Sequence, residues 1–113
     1  PAGRPAPYMI YQNMLILGEE DTDCVVKIGD TISDIKEGRN AKVWTVGILK
    51  GSSELGLSLE EVNSLPENEL KEKMEKTASK MLSAGAHFVI EDISKVPYII
   101  DIINKKLING ERA

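Results

Sequence analysis

Short apolar runs rich in β-branched residues alternate along this chain with stretches whose apolar residues recur every three or four positions. The runs are Cys24-Val25-Val26-Lys27-Ile28, Val43 to Leu49, and His87-Phe88-Val89-Ile90. A strand buried on both faces reads as such a continuous run, whereas an amphipathic helix repeats every 3.6 residues. The pattern therefore predicts strands near 24–28, 43–49 and 87–90 and helices between them. Pro5 and Pro7 suit a first helical turn, after which Tyr8, Tyr11, Met14 and Leu15 repeat at helical spacing up to Gly18. Thr31 to Glu37 reads as a short helix closed by Gly38. Ser58-x-x-Glu61 and Ser64-x-x-Glu67 are capping-box patterns, the second introducing a helix with the apolar stripe Leu70, Met74, Ala78, Met81 and Leu82, ended by Gly85. Ser94 is the expected cap of a last helix that turns Val96, Ile99, Ile100, Ile103 and Leu107 inward, before a tail, Asn109 to Ala113, that frays.

Helix, strand, helix, strand, helices, strand, helix is the alternation of an α/β fold, with a parallel sheet covered on both faces and right-handed crossovers. It contains only three strands and opens on a helix that needs a sheet to pack against. The chain thus reads as the second half of one domain, with a sheet edge through which copies can associate.

Composition narrows the function classes. The 113 residues are 42% hydrophobic and 28% charged, and no apolar run approaches the roughly 20 residues a membrane span requires. The opening Pro1-Ala2-Gly3-Arg4-Pro5 is not a secretory signal and has the look of a cut end. A net charge of −4 without a basic cluster argues against a nucleic-acid surface, and Lys105-Lys106 reads as charge near a helix C-terminus. The single cysteine, Cys24, allows no internal disulfide and no cysteine-rich zinc site, which fits a reducing, cytoplasmic setting. There is no glycine-rich phosphate loop. Trp44 and the methionines of the Leu70 stripe read as core, and His87, without a partner nucleophile in any known pattern, is assigned to packing.

The most informative string is Lys27-Ile28-Gly29-Asp30-Thr31-Ile32-Ser33-Asp34. It puts Asp30 at the carboxyl end of a strand, where open α/β sheets form their ligand crevice. Asp34 follows one helical turn later on the same face. The loop Gly51-Ser52-Ser53-Glu54-Leu55-Gly56 lies beyond the next strand and faces the same crevice. An aspartate at a helix start also serves as a simple cap favoured by the helix dipole. The string by itself leaves a metal or catalytic role and a capping role both open.

Four segments together resemble the C-terminal half of the phosphonoacetaldehyde hydrolase (phosphonatase) family of the haloacid dehalogenase superfamily. They are Gly3-Arg4-Pro5-Ala6-Pro7-Tyr8-Met9, the Lys27 to Asp34 string, Trp44-Thr45-Val46-Gly47 with Gly51 to Leu57, and Gly85-Ala86-His87-Phe88. The resemblance spans nearly the whole chain and implies that residues 1–113 form part of a hydrolase core, the C-terminal portion of a Rossmann-like sheet. It implies Mg2+ as cofactor, with Asp30 as its ligand. Asp34 would support the site from the next turn and hold Arg4, and Arg4 would stabilise charge on the nucleophile and on the phosphoryl group of a small phosphonate substrate. These roles suit the residue types: hard cations take carboxylate oxygens, and a guanidinium fork matches carboxylate and phosphoryl oxygens. Thr31 and Ser33, between the two carboxylates, are further candidates for supporting contacts.

In that family an aspartate on the first strand attacks phosphorus, and a lysine on a helical cap domain forms a Schiff base with the aldehyde so that the P–C bond breaks. Neither the nucleophile strand nor the cap matches any part of these residues. The chain also departs from the family at Lys42-Val43, where a small residue and a methionine usually enter the strand. The expectation is part of a phosphonoacetaldehyde hydrolase that is inactive by itself, binds no nucleic acid or membrane, and self-associates through its sheet edge as a homodimer or larger assembly. The alternatives are part of another phosphatase or mutase of the superfamily, or a non-catalytic self-associating domain.

Overall fold

Three parallel strands in the order β1-β2-β3 form the centre of the computed structural model, which describes residues 25–113. The expected helix between Pro5 and Gly18, Arg4 and Cys24 lie outside the described residues. β1 (Val26–Gly29) leads into α1 (Ile32–Asn40), β2 (Trp44–Ile48) into α2 (Leu59–Ser64) and α3 (Glu67–Ala84), and β3 (Phe88–Ile90) into a 3-10 turn (Ile93–Lys95) and α4 (Val96–Ile108). Val26 sits opposite Trp44, and Val46 opposite Phe88. Three parallel strands with intervening helices are thus as the sequence predicts.

Alternation along β2 sends side chains to opposite faces and divides the core in two. On one face Trp44 and Val46 pack with Ile90 against Ile99 and Ile103 of α4, joined at the edge by Val96 and Leu107. On the other, Ile35 of α1 and Met81 of α3 meet Leu49 and Ala86. Ile35 and Met81 are fully buried. Gly47 faces this side because a Cβ there would lie 2.6 Å from Met81 Sδ, so the bare backbone sets how near α3 can come.

Several local expectations are corrected. Gly38 does not close α1; the helix runs through it to Asn40, capped at Ala41. Its role is close approach, since a Cβ there would lie 2.4 Å from Thr45 Oγ1 on β2. Of the two capping boxes only Ser58–Glu61 forms, with Glu61 N–H donating to Ser58 Oγ (3.1 Å) and Ser58 N–H to Glu61 Oε1 (3.2 Å). Ser64 instead donates its hydroxyl to Glu60 O within α2. Pro66 holds Leu65 in extended backbone and starts α3 without a side-chain cap. Ser94 does not cap the last helix: α4 follows Lys95 without a side-chain cap, and Ser94 lies in the preceding 3-10 turn, where Asp92 is the cap and accepts Ser94 N–H at 2.9 Å. Leu82 is half exposed, because neighbours on a helix point about 100° apart and Met81 already faces the sheet. Gly85 does end α3, in the left-handed conformation at φ 117°.

His87 is more than packing. It donates its own N–H to Thr45 O (2.8 Å), and its ring Nδ1 accepts Thr45 N–H (3.0 Å), so one residue extends the β2–β3 pairing at both positions. Its ring lies 4.8 Å from that of Trp44, and Arg39 Nη1 reaches to 2.8 Å from Nε2. Desolvation first, then the charges of Arg39 and Lys106, hold the imidazole below its ordinary pKa. With Nδ1 accepting, the neutral ring carries its proton on Nε2, and a second proton would turn Nδ1 from an acceptor into a donor facing Thr45 N–H.

Two outcomes follow from this packing. Gly38→Ala gains up to about 1 kcal/mol of helix propensity but forces the helix off the sheet, so urea denaturation should register a net loss on the order of 1 kcal/mol. For His87 the folded pKa lies below the unfolded value of about 6.5, so the unfolded chain binds more protons between the two. Stability is then complete above that value and falls as pH drops through the depressed folded pKa. Thermal melts at successive pH values should show this decline in the wild type and a flatter profile in His87→Gln over the same window.

Candidate functional site

The site begins with what Gly29 lacks. A Cβ at the end of β1 would fall 2.3 Å from Asp34 Cβ, so only glycine lets the first turn of α1 come so near the strand. Thr31 caps the helix in extended backbone, and its Oγ1 accepts Asp34 N–H at 3.0 Å. Asp34, in the first turn where the helix dipole favours a carboxylate, reaches back and accepts Asp30 N–H at Oδ2 (3.1 Å). The two aspartates are therefore joined by a hydrogen bond from the backbone of one to the side chain of the other. Asp34 is buried and Asp30 exposed.

Both line an open cleft of about 610 Å3 at the carboxyl ends of the strands. β1 contributes Lys27, Ile28 and Gly29, the end of β2 contributes Ile48, Lys50 and Gly51, and the segment after β3 contributes Asp92 and Ile93. Beneath Asp34, Lys27 Nζ stands 3.1 Å from Glu37 Oε1 and 3.8 Å from Asp34 Oδ1. Lys50 pairs with Glu91 at 3.2 Å across the rim, where solvent leaves such a pair little energetic weight. Hydrogen bonds from the Ser94 hydroxyl and N–H hold the Asp92 carboxyl below the usual carboxylate range, with smaller help from Lys50 and Lys95.

The loop after β2 is fixed to the same corner. Ser52 Oγ accepts Leu55 N–H (3.0 Å), and Glu54 Oε1 accepts Ile32 N–H (3.0 Å), satisfying a free donor at the N-terminus of α1. Gly51 reaches the cleft as the sequence suggests, but Glu54 turns to the helix.

Of the residues singled out from sequence, Asp30 and Asp34 meet in the cleft, Thr31 supports them as a cap, and Ser33 is half-buried outside its lining. Arg4 lies outside the described residues. Lys27, Lys50, Glu54 and Asp92 were not assigned roles by the sequence reading. The Asp-x-Ser spacing of Asp92 and Ser94 carries a recognisable cap signal. For the other three no local signal exists, since their partners come from other elements.

The donor set suits a hard divalent cation. The Asp30 carboxylate is exposed in the cleft, while Asp34 is engaged by Asp30 N–H and Lys27 and Asp92 by Ser94, so that Asp30 is the foremost oxygen ligand. Mg2+ commonly binds through one or two carboxylates and retains its waters. Among the described residues no group of three His, Cys, Asp or Glu side chains forms a complete metal cage.

No family model matches the chain. It is 56% identical over 106 residues to a phosphonoacetaldehyde hydrolase of Parabacteroides distasonis, covering 94% of the chain and 40% of that protein. The phosphonoacetaldehyde hydrolase of Bacteroides fragilis is 51% identical over 107 residues, which cover 95% of the chain and 41% of the relative. Among solved structures, a phosphonoacetaldehyde hydrolase-like protein from Oleispira antarctica superposes with a TM-score of 0.93 at 32% identity, over 98% of this chain and 40% of its own. A haloacid dehalogenase-like protein of unknown function from Agrobacterium tumefaciens shares the fold, with a TM-score of 0.64 at 22% identity, over 89% of this chain and 36% of its own. The chain thus spans about 40% of the length of the curated relatives it matches. In sequence and fold it is similar to the C-terminal part of phosphonoacetaldehyde hydrolases.

Proposed function

We propose that these 113 residues supply the metal-ligating and charge-stabilising part of a phosphonoacetaldehyde hydrolase, which cleaves the P–C bond of phosphonoacetaldehyde to give acetaldehyde and phosphate in the cytoplasm. The observation that carries the reading is the Asp30–Asp34 pair at the carboxyl end of β1, in a chain more than half identical to a protein of that name. Asp30 would hold Mg2+, which when bound supplies positive charge against phosphoryl oxygens. Asp34 fixes the backbone of Asp30 and so aims its carboxylate into the cleft. Lys50 lines the same cleft and, by leaving its rim pair with Glu91, would offer a cation to an anionic substrate. Arg4 is assigned by resemblance to the phosphoryl group. The nucleophilic aspartate and the Schiff-base lysine of the family match nothing in these residues, so bond making and breaking are assigned elsewhere in the protein. Self-association belongs to the same reading, since β1 and β3 each pair on one side only among the described residues.

Metal affinity tests the ligand assignment. With one strong carboxylate, Mg2+ should bind the 113-residue chain in the millimolar range at best, and Asp30→Asn should remove the heat of binding in titration calorimetry. Tight binding that survives Asp30→Asn would contradict the assignment.

Activity tests the reaction. The 113 residues alone should release no acetaldehyde from phosphonoacetaldehyde in a coupled reductase assay. Joined to the remaining portion of the Parabacteroides relative they should turn it over. In that protein Arg4→Ala and Asp30→Ala should each cost on the order of 100-fold in kcat, as expected for one preorganised electrostatic group. His87→Ala, at the opposite end of the sheet, should cost far less. Robust Mg2+-dependent turnover by the 113 residues alone, or preference of the joined protein for sugar phosphates, would overturn the reading.

A further inference from the structure

Two buried carboxylates, Asp34 and Glu37, stand three residues apart on the face of α1 that meets the sheet; they are 7% and 3% exposed. Like charges so placed destabilise a helix, and a buried carboxylate needs a partner. Lys27 answers both. It projects from β1 beneath the helix, its side chain 25% exposed, with Nζ 3.1 Å from Glu37 and 3.8 Å from Asp34. The cleft lining includes Lys27 beside Asp30 and Asp34. Gly38 lets this happen, because a Cβ there would crowd Lys27 Cβ at 3.1 Å as well as Thr45.

We propose that Lys27 is a positioning residue for the metal ligand. Its ammonium group, 3.8 Å from Asp34 Oδ1, holds that carboxylate aimed so that Oδ2 accepts Asp30 N–H, and this hydrogen bond fixes the direction in which the Asp30 carboxylate enters the cleft. Glu37 orients Lys27, and the chain of contacts runs Glu37, Lys27, Asp34, Asp30. Such supporting contacts govern metal affinity strongly, their loss commonly weakening binding about 10- to 100-fold. The inference rests on the reading of Asp30 as a metal ligand only for this last consequence; the positioning itself is a property of the metal-free protein.

Nuclear magnetic resonance of the 15N-labelled 113-residue chain separates the two. In the absence of metal, the Asp30 amide proton should resonate downfield and exchange slowly. Lys27→Met should shift it upfield and speed its exchange at least about 10-fold, while Lys27→Arg should preserve it. Asp34→Asn gives the reference spectrum for a lost carboxylate acceptor. The double variant Lys27→Met/Glu37→Gln removes the cation together with its nearer partner. It should remain as defective as Lys27→Met; recovery of the Asp30 resonance would show that Lys27 merely neutralises Glu37 and would overturn the proposal. An unchanged Asp30 amide in folded Lys27→Met would overturn it equally. Added Mg2+ should then shift Asp30 in the wild type with an affinity about 10-fold above that of Lys27→Met. If the wild type shows no Mg2+ response, the ligand assignment of Asp30 fails, and the metal-free amide comparison still decides the role of Lys27.

Discussion

The rest of the site depends on how close α1 comes to the end of β1. Asp34 can accept Asp30 N–H at 3.1 Å only because Gly29 offers no Cβ, which would fall 2.3 Å from that of Asp34. That approach turns an unfavourable pair of like charges into a fixed arrangement in which one carboxylate is spent on the backbone and the other is free for the cleft. Gly38 does for the far end of the same helix what Gly29 does for its start, bringing it down onto Thr45 and Lys27.

The sheet keeps the candidate site and the polar ties between its elements at opposite ends. At the carboxyl ends of the strands lie the exposed Asp30 carboxylate, Lys50 and Asp92 around an open cleft. At the amino ends, Thr45 N–H donates to His87 Nδ1 at 3.0 Å and joins β2 to β3, while Arg39 Nη1 of α1 lies 2.8 Å from the ring's other nitrogen. Between them the two apolar layers centred on Val46 and on Met81 clamp the sheet from both faces. The division is typical of parallel α/β folds, in which loops at one end can vary chemistry on a scaffold stabilised elsewhere.

Much of this was legible before the structure. The three strands were visible because parallel strands buried on both faces leave unbroken apolar runs, and Gly85 was readable because a left-handed helix end favours glycine. The Asp30–Asp34 pair was legible because strand and helix periodicities together fix its direction. Gly38 was misread as a helix end, since glycine chosen for close approach and glycine chosen for a turn look alike in sequence. Ser64 and Ser94 were misread because hydroxyl caps compete with nearby alternatives: Pro66 starts α3, and Asp92 caps a 3-10 turn from which α4 continues without a side-chain cap of its own. Lys27 and Glu54 escaped for a different reason. Their partners are brought near only by the tertiary fold, Glu54 reaching Ile32 N–H across 22 positions of sequence.

The central claim is that the cleft at the carboxyl end of β1 is a divalent-metal site built on Asp30. Paramagnetic broadening by substoichiometric Mn2+, used in place of Mg2+, tests it most directly. The account predicts that the amide resonances of Gly29, Asp30, Gly51 and Asp92 broaden first while those of Thr45 and His87 stay sharp, and that Asp30→Asn abolishes the selectivity. Broadening centred on the glutamates of α3, or unchanged by Asp30→Asn, would contradict it.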